Sequence, residues 1–187
     1  MDKIEILLKT GKIIFGIRDL RLFWNESNPD ALKSSVKYYV DQQKLFRLKR
    51  GVYSLSRNFD PFEVAQTLIS PSYLTLQSAL LHYGIIFQQT NSITSFSFYP
   101  KKIRIGAYTY TYHSVKDDVL FNPLGIGKIG SVSIASPERA VADTLYLLGE
   151  FYFDNLKSID PNKLSKIASI YQKKAVEKRI QSLLLTL

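Results

Sequence analysis

The amino-acid sequence predicts an α+β chain of two units, and three observations carry that reading. Roughly the first sixty residues read as helix, helix, helix and β-hairpin. From residue 61 onward, amphipathic helical stretches are interspersed with runs of alternating strand character. No repeat, low-complexity tract or long linker interrupts the chain, and Asn58-Phe59-Asp60-Pro61 is the best boundary. The expected organisation is therefore an N-terminal domain over 1–60 and a mixed α+β domain over 61–187.

Ile4, Leu7 and Leu8 share one helical face before Gly11 stops the segment. A second short helix fits Ile17 to Phe23, with Ile17, Leu20 and Trp24 inward and Arg18 and Arg21 outward. The third helix has the clearest start: Asn28 suits the N-cap, Pro29 the first helical position, and Asp30 the positive helix end. Leu32, Val36, Tyr39 and Val40 follow the spacing of a buried stripe, and Lys33, Ser34, Lys37 and Tyr38 lie opposite. Two short alternating strands follow within Leu45 to Leu55 around a basic turn, where Gly51 can take positive φ without a Cβ clash. Three helices followed by a basic hairpin is the order of a winged helix-turn-helix.

In the second unit, Phe62 to Ile69 and Ser72 to Tyr83 read as helices, the latter with Ser72 as N-cap, Gly84 as stop and an inward stripe of Leu76, Ala79, Leu80 and Tyr83. Ile93 to Tyr99, Ile103 to Gly106, Tyr108 to His113 and Ile129 to Ala135 read as strands. Ser136 caps a helix that Pro137 opens and that runs to about Leu148; Arg139 and Asp143, four apart, pair on it for a few tenths of a kcal/mol if exposed. Two further helices start at Pro161 and near Lys174.

Composition narrows the function classes. With 45% hydrophobic and 22% charged residues the chain is ordinary globular material. Zero cysteines exclude disulfides, cysteine nucleophiles, thiolate zinc sites and iron–sulfur clusters, and two histidines exclude a His-rich metal site. No apolar run approaches the ~18 residues of a membrane span, and Met1-Asp2-Lys3-Ile4-Glu5 lacks the basic start of a signal peptide. A cytoplasmic protein with no membrane partner, no cofactor and no metal is expected.

The charge is unusual. The net value is +9, and residues 28–57 hold Lys33, Lys37, Lys44, Arg47, Lys49, Arg50 and Arg57 against only Asp30 and Asp41. A basic concentration on a third helix and wing fits an acidic partner, above all nucleic acid. In a winged helix the third helix enters the major groove, where Lys33, Ser34, Lys37 and Tyr38 would reach base edges or phosphates. Arg47, Lys49 and Arg50 on the hairpin would sit on phosphates or in the adjacent minor groove. With roughly five phosphate contacts, log affinity falls against log salt with a slope of about −4 to −5. The alternative for such a helix face is a solvated basic surface.

Three stretches carry a family resemblance: K-L-F-R-L-K-R-G-V-Y-S-L from Lys44 to Leu55, S-Y-L-T-L-Q-S-A-L-L-H-Y-G from Ser72 to Gly84, and A-S-P-E-R-A-V-A-D-T-L-Y from Ala135 to Tyr146. Their order and spacing, over roughly residues 1–150, resemble the AbiEi-type antitoxins, the transcriptional regulators of type IV toxin–antitoxin systems. The resemblance implies a winged N-terminal domain that binds inverted repeats in its own promoter and represses transcription. It implies a C-terminal domain that supports antitoxin action and cooperative binding. The implied partner is a nucleotidyltransferase-like toxin encoded next door, not necessarily held in a stable complex. A stand-alone regulator, or a winged module for protein–protein contacts, remains the alternative.

Routes to catalysis find little support. None of the sixteen acids is followed at the second position by Lys, as a restriction-type nuclease centre requires. Asp117-Asp118 reads as a turn. Gly125-Ile126-Gly127-Lys128-Ile129-Gly130 leads into a strand rather than a helix and reads as a hairpin loop, not a phosphate cradle. No nucleophile-elbow pattern is present, and a non-enzyme is expected. Tyr108, Tyr110 and Tyr112, with Phe96 and Phe98 on another strand, place rings on a sheet face near Lys101, Lys102 and Arg104. Such rings either wall a core or stack on single-stranded nucleic acid.

Overall fold

The computed structural model describes residues 2–185 and is a mixed α+β structure. Its chain falls into two compact units, one ending at Leu68 and the other starting at Ile69.

The first unit runs α1 (Lys3–Leu8), β1 (Ile14–Gly16), α2 (Ile17–Phe23), α3 (Pro29–Asp41), β2 (Phe46–Lys49), β3 (Val52–Ser54) and α4 (Pro61–Leu68). Asp2 and Glu5 form a reciprocal capping box on α1. On α3 the Asn28 carboxamide accepts from the amides of Asp30 at 2.9 Å and Ala31 at 3.3 Å, so the cap read from the sequence is in place. Leu7, Phe15, Leu20, Trp24, Leu32, Val36, Leu45 and Tyr53 form one buried cluster, with Ile4, Ile17, Tyr39 and Val40 packed at its margin. Leu8 is the exception to the expected α1 stripe and faces solvent.

Two features of this unit differ from the sequence reading. Residues 14–16 form a strand that pairs antiparallel with β3, giving a three-stranded sheet in the order β1-β3-β2. Three residues are too few for a periodicity signal; pairing with β3 makes the strand. The boundary also falls eight residues later than Asp60, because α4 packs against β1 and belongs with the first unit.

The second unit runs β4 (Ser72–Leu74), α5 (Gln77–His82), β5 (Ser92–Ser97), β6 (Lys101–Ile105), β7 (Tyr108–Ser114), α6 (Asp117–Leu120), β8 (Ile126–Ile129), β9 (Val132–Ala135), α7 (Pro137–Leu148), α8 (Pro161–Ala168), a 3-10 turn at Ser169–Tyr171 and α9 (Lys174–Leu184). Its six strands form one mixed sheet in the order β6-β7-β5-β4-β9-β8. The pairs β4–β9 and β5–β7 are parallel, and the other three are antiparallel. No helix among the described residues is long and apolar enough to cross a membrane.

Ser72 to Tyr83 is not one helix. Ser72–Leu74 is a strand held between β5 and β9, and Ser72 caps nothing; its hydroxyl donates to the Ile69 carbonyl at 2.6 Å. Leu76, at φ 54° and ψ −135°, turns the chain sharply from strand into α5. That turn is pinned by buried hydroxyls: Thr94 Oγ1 donates to the Thr75 carbonyl at 2.7 Å, and the Thr94 amide donates to Ser78 Oγ at 2.7 Å. Membership of a sheet outweighs a helical spacing over so short a stretch. Two smaller corrections follow the same logic. The glycine-bearing stretch 126–129 is itself a strand of a hairpin with β9, and Asp117-Asp118 opens a single helical turn whose Val119 and Leu120 are buried.

Candidate nucleic-acid interface

Burial of Leu32 and Val36 against the first unit's core fixes the rotation of α3, and the opposite face follows from it. Lys33, Ser34, Lys37 and Tyr38 are all exposed. Lys33 is partly committed: its Nζ lies 3.0 Å from Asp30 Oδ1, one turn earlier on the same face. Tyr38 packs edge-on against Tyr39, with ring centroids 5.1 Å apart, so its ring is braced while its outer side stays open. Tyr39 in turn donates through its hydroxyl to Asp2 Oδ1 at 2.7 Å. That bond, helped by Lys44 at 3.6 Å from the other carboxylate oxygen, holds the Asp2 carboxyl below its usual range. Lys44 is thereby tied to Asp2, ahead of α1.

The end of α3 leads straight into the hairpin, since the amides of Lys44 and Leu45 both donate to the Tyr39 carbonyl. Leu45 and Tyr53 bury in the same core as Leu32 and Val36, so α3 and the hairpin share one foundation. Along β2, burial alternates and leaves Arg47 and Lys49 exposed, with Arg50 exposed in the turn beyond. The register shifts between Arg47 and Lys49, a bulge at Leu48. Gly51 has φ +85°, as expected for the turn, and its carbonyl accepts from the Ile17 amide at 2.8 Å, which anchors the tip to the start of α2. Lys37, Arg47, Lys49 and Arg50 make no ion pair among the described residues. The geometry thus offers a basic helix face and a basic hairpin tip, both solvent-facing and both rigidly based.

The other candidate sites resolve into architecture. Tyr110 and Tyr112 are buried in the sheet, as is Phe96, while Phe98 is half-exposed beside Phe121. Burial pushes the Tyr112 hydroxyl well above its ordinary range. Tyr110 and Tyr112, enclosed in this way, cannot stack on bases, and Tyr108 at the start of β7 is half-buried. His82 is exposed, on the outer side of α5.

The largest departure from the sequence reading is Arg139. It is fully buried, and so is its partner Asp143. Arg139 Nε donates to Asp143 Oδ1 at 3.1 Å; one terminal nitrogen donates to the Leu124 and Asn122 carbonyls, and the other to Tyr73 Oη and the Val119 carbonyl. Asp143 accepts further from Thr75 at 2.7 Å and from the Tyr171 hydroxyl at 2.7 Å. Burial raises the Asp143 carboxyl above its ordinary value, opposed by the guanidinium and by these donors. With every donor of the guanidinium occupied by protein, the cluster knots α7 to β4, α6, the loop before β8 and the 3-10 turn. Spacing four apart was legible as a pair; its burial was not.

A second concentration of positive charge lies on α8 and α9, beyond the stretches that carry the family resemblance. From residue 157 on, the sequence has seven basic side chains against two acidic ones. A scan against protein-family models finds no match, and no curated protein matches the sequence.

Proposed function

We propose that the chain is a sequence-specific, double-stranded DNA-binding repressor of the winged helix-turn-helix kind, with α3 as recognition helix and the β2–β3 hairpin as wing. One observation carries this reading. The basic side chains of α3 and of the hairpin are exposed on elements whose inner faces share a single core. The order α1, β1, α2, α3, β2, β3 with sheet order β1-β3-β2 supports it. Lys33, Ser34, Lys37 and Tyr38 meet base edges and phosphates in the major groove, and Arg47, Lys49 and Arg50 hold the flanking backbone or enter the minor groove. The chain has no catalytic role in this account. Repression of its own operon through inverted repeats, and antitoxin action against a nucleotidyltransferase-like toxin, rest on the resemblance to AbiEi-type regulators.

A second reading, a winged module that docks a protein, draws on α2, where exposed Leu22 sits with Arg18, Arg21 and Asn25 around an open groove of about 350 Å³. One experiment separates the two. Fluorescence anisotropy is run with the DNA upstream of the chain's own gene, with excess non-specific competitor, at two salt concentrations. Binding in the range of ~10 nM that survives competitor supports the repressor. Loss of that binding on combined Lys33→Ala, Lys37→Ala and Arg50→Ala substitution assigns it to α3 and the wing. Binding abolished by competitor or modest salt moves the protein-docking reading ahead.

A further inference from the structure

Residues 69–156 carry six basic and six acidic side chains and hence no net charge. The seven basic residues from 157 on, Lys157, Lys163, Lys166, Lys173, Lys174, Lys178 and Arg179, face only Asp160 and Glu177. All the net positive charge of the second unit therefore lies on α8, α9 and their immediate flanks. Asp160 is already engaged as the cap of α8, accepting from the amides of Asn162 and Lys163. Arg179 is turned back, donating to the Leu145 carbonyl, and Lys173 lies over the Tyr146 ring.

Five lysines remain outward, Lys157 ahead of α8 and four on the helices themselves. The two helices pack on each other and on α7, burying Leu164, Ile167, Val176 and Ile180. That packing leaves Lys163 and Lys166 exposed on α8, and Lys174 and Lys178 exposed on α9 beside Gln181 and Ser182. None of the four makes an ion pair among the described residues. The dipole favours Lys166 in the last turn of α8, but the other three gain nothing from their placement. Lys174 and Lys178 repel at i,i+4, and Lys163 and Lys174 sit in first turns, where the helix dipole disfavours a cation. A bound anion would relieve the repulsion between Lys174 and Lys178.

We propose that Lys163, Lys166, Lys174 and Lys178 form a second nucleic-acid surface, one that binds the phosphate backbone without reading bases. The surface chemistry favours this polyanion. Protein interfaces are depleted in Lys and built on an apolar centre, whereas the outer face of α9 has its large exposed apolar residue, Leu185, at the C-terminal end and not at the centre. A helix lying on a membrane needs a free apolar face, and that of α9 is buried within the unit. Lys as a strongly hydrated point charge suits phosphate contacts that fix position and ignore sequence. The inference extends the DNA-binding reading but stands on different residues and does not depend on α3.

The test uses the full chain and a duplex of arbitrary sequence, with affinity followed by anisotropy across a salt series. Substituting Lys163, Lys166, Lys174 and Lys178 together by Gln is expected to make the log–log salt slope shallower by about 3 to 4 units, at ~0.9 per phosphate contact. Substituting the four by Arg is expected to keep the slope, and an unchanged melting transition shows that the fold is intact. A slope that does not change in the Gln variant overturns the proposal. So does displacement of the wild-type chain from the labelled duplex by polyglutamate or phosphatidylserine vesicles at a lower concentration of negative charge than unlabelled duplex requires. Combined Lys37→Ala, Arg47→Ala and Arg50→Ala substitution, measured in parallel, separates the two surfaces. A fall in slope there alone leaves the repressor reading standing without this one, and a fall only in the lysine variant does the reverse.

Discussion

The Cβ of Arg139 lies where it would meet, at 2.8 Å, a Cβ placed on Gly125. Gly125 stands at φ +75° and its carbonyl accepts from the Ser136 amide at 2.7 Å, so the loop before β8 lies flat against the start of α7. The neighbouring Leu124 carbonyl is thereby brought to 2.8 Å from the Arg139 guanidinium. The first glycine of a stretch that superficially suggests phosphate binding serves instead to let backbone approach a buried arginine.

Gly125→Ala is accordingly expected to be among the most damaging single-methyl additions in the chain. The new Cβ would also stand 3.0 Å from Ile167 Cδ1, and positive φ strains any L side chain there. A loss of about 1–3 kcal/mol in urea unfolding is expected. Gly127→Ala, with open space around its Cβ, is the control and should change little.

Removing either end of the buried ion pair leaves the other uncompensated. Asp143→Asn keeps the shape and some hydrogen bonds to Thr75 and Tyr171, yet strands the Arg139 charge in the interior. A cost of about 3–5 kcal/mol is expected. The double variant Arg139→Met with Asp143→Asn is expected to lose less than the sum of the singles, a coupling that a double-mutant cycle in denaturant measures.

Under the proposed repressor function, Asp30 would compete with DNA for Lys33, to which it is paired at 3.0 Å. Asp30→Asn frees the ammonium, removes a negative charge from the α3 face and costs the helix only a small favourable dipole interaction. Duplex affinity at low salt is expected to rise several-fold, with a slightly steeper salt slope. A fall in affinity would count against α3 as the helix that meets DNA.

Tyr110→Ala is expected to cost about 3–5 kcal/mol, since the ring is wholly buried between β5 and β6. Thermal unfolding reads this directly. A soluble, stably folded variant would contradict the assignment of this ring to the core.

His113 titrates in an accessible range. Half-buried on β7 opposite Phe96, it is held below its ordinary pKa of 6.5 by desolvation. The unfolded chain therefore takes up the proton first as pH falls through 6.5, and stability declines from there down to the folded-state value. Denaturant midpoints compared at about pH 7.5 and about pH 5.5 are expected to differ less in His113→Gln than in the parent.

Much of the proposed site was legible because its determinants are local. The Asn28 cap, the Leu32–Val36 stripe and the Gly51 turn depend on neighbours within a few residues, and each is found where the sequence placed it. Ser136 and Pro137 at the start of α7 are equally local, with Ser136 Oγ accepting from the Arg139 amide. The strands β1 and β4 were not legible: β3 is equally short but is joined to β2 by the Gly51 turn, whereas β1 and β4 exist through partners distant in sequence. The lysines of α8 and α9 were visible as letters, but their common exposure awaited knowledge of which helix faces pack.

The sequence by itself determined where charge, caps and tight turns fall, because each follows from a side chain and its near neighbours. Tertiary structure decided what is enclosed. An Arg–Asp pair four apart has the same spacing on a wet helix face as in a dry interior. Only the approach of Tyr73, Thr75, Tyr171 and three carbonyls makes it the buried knot of the second unit. Desolvation depends on the whole surrounding shell, and that shell is assembled from segments remote along the chain.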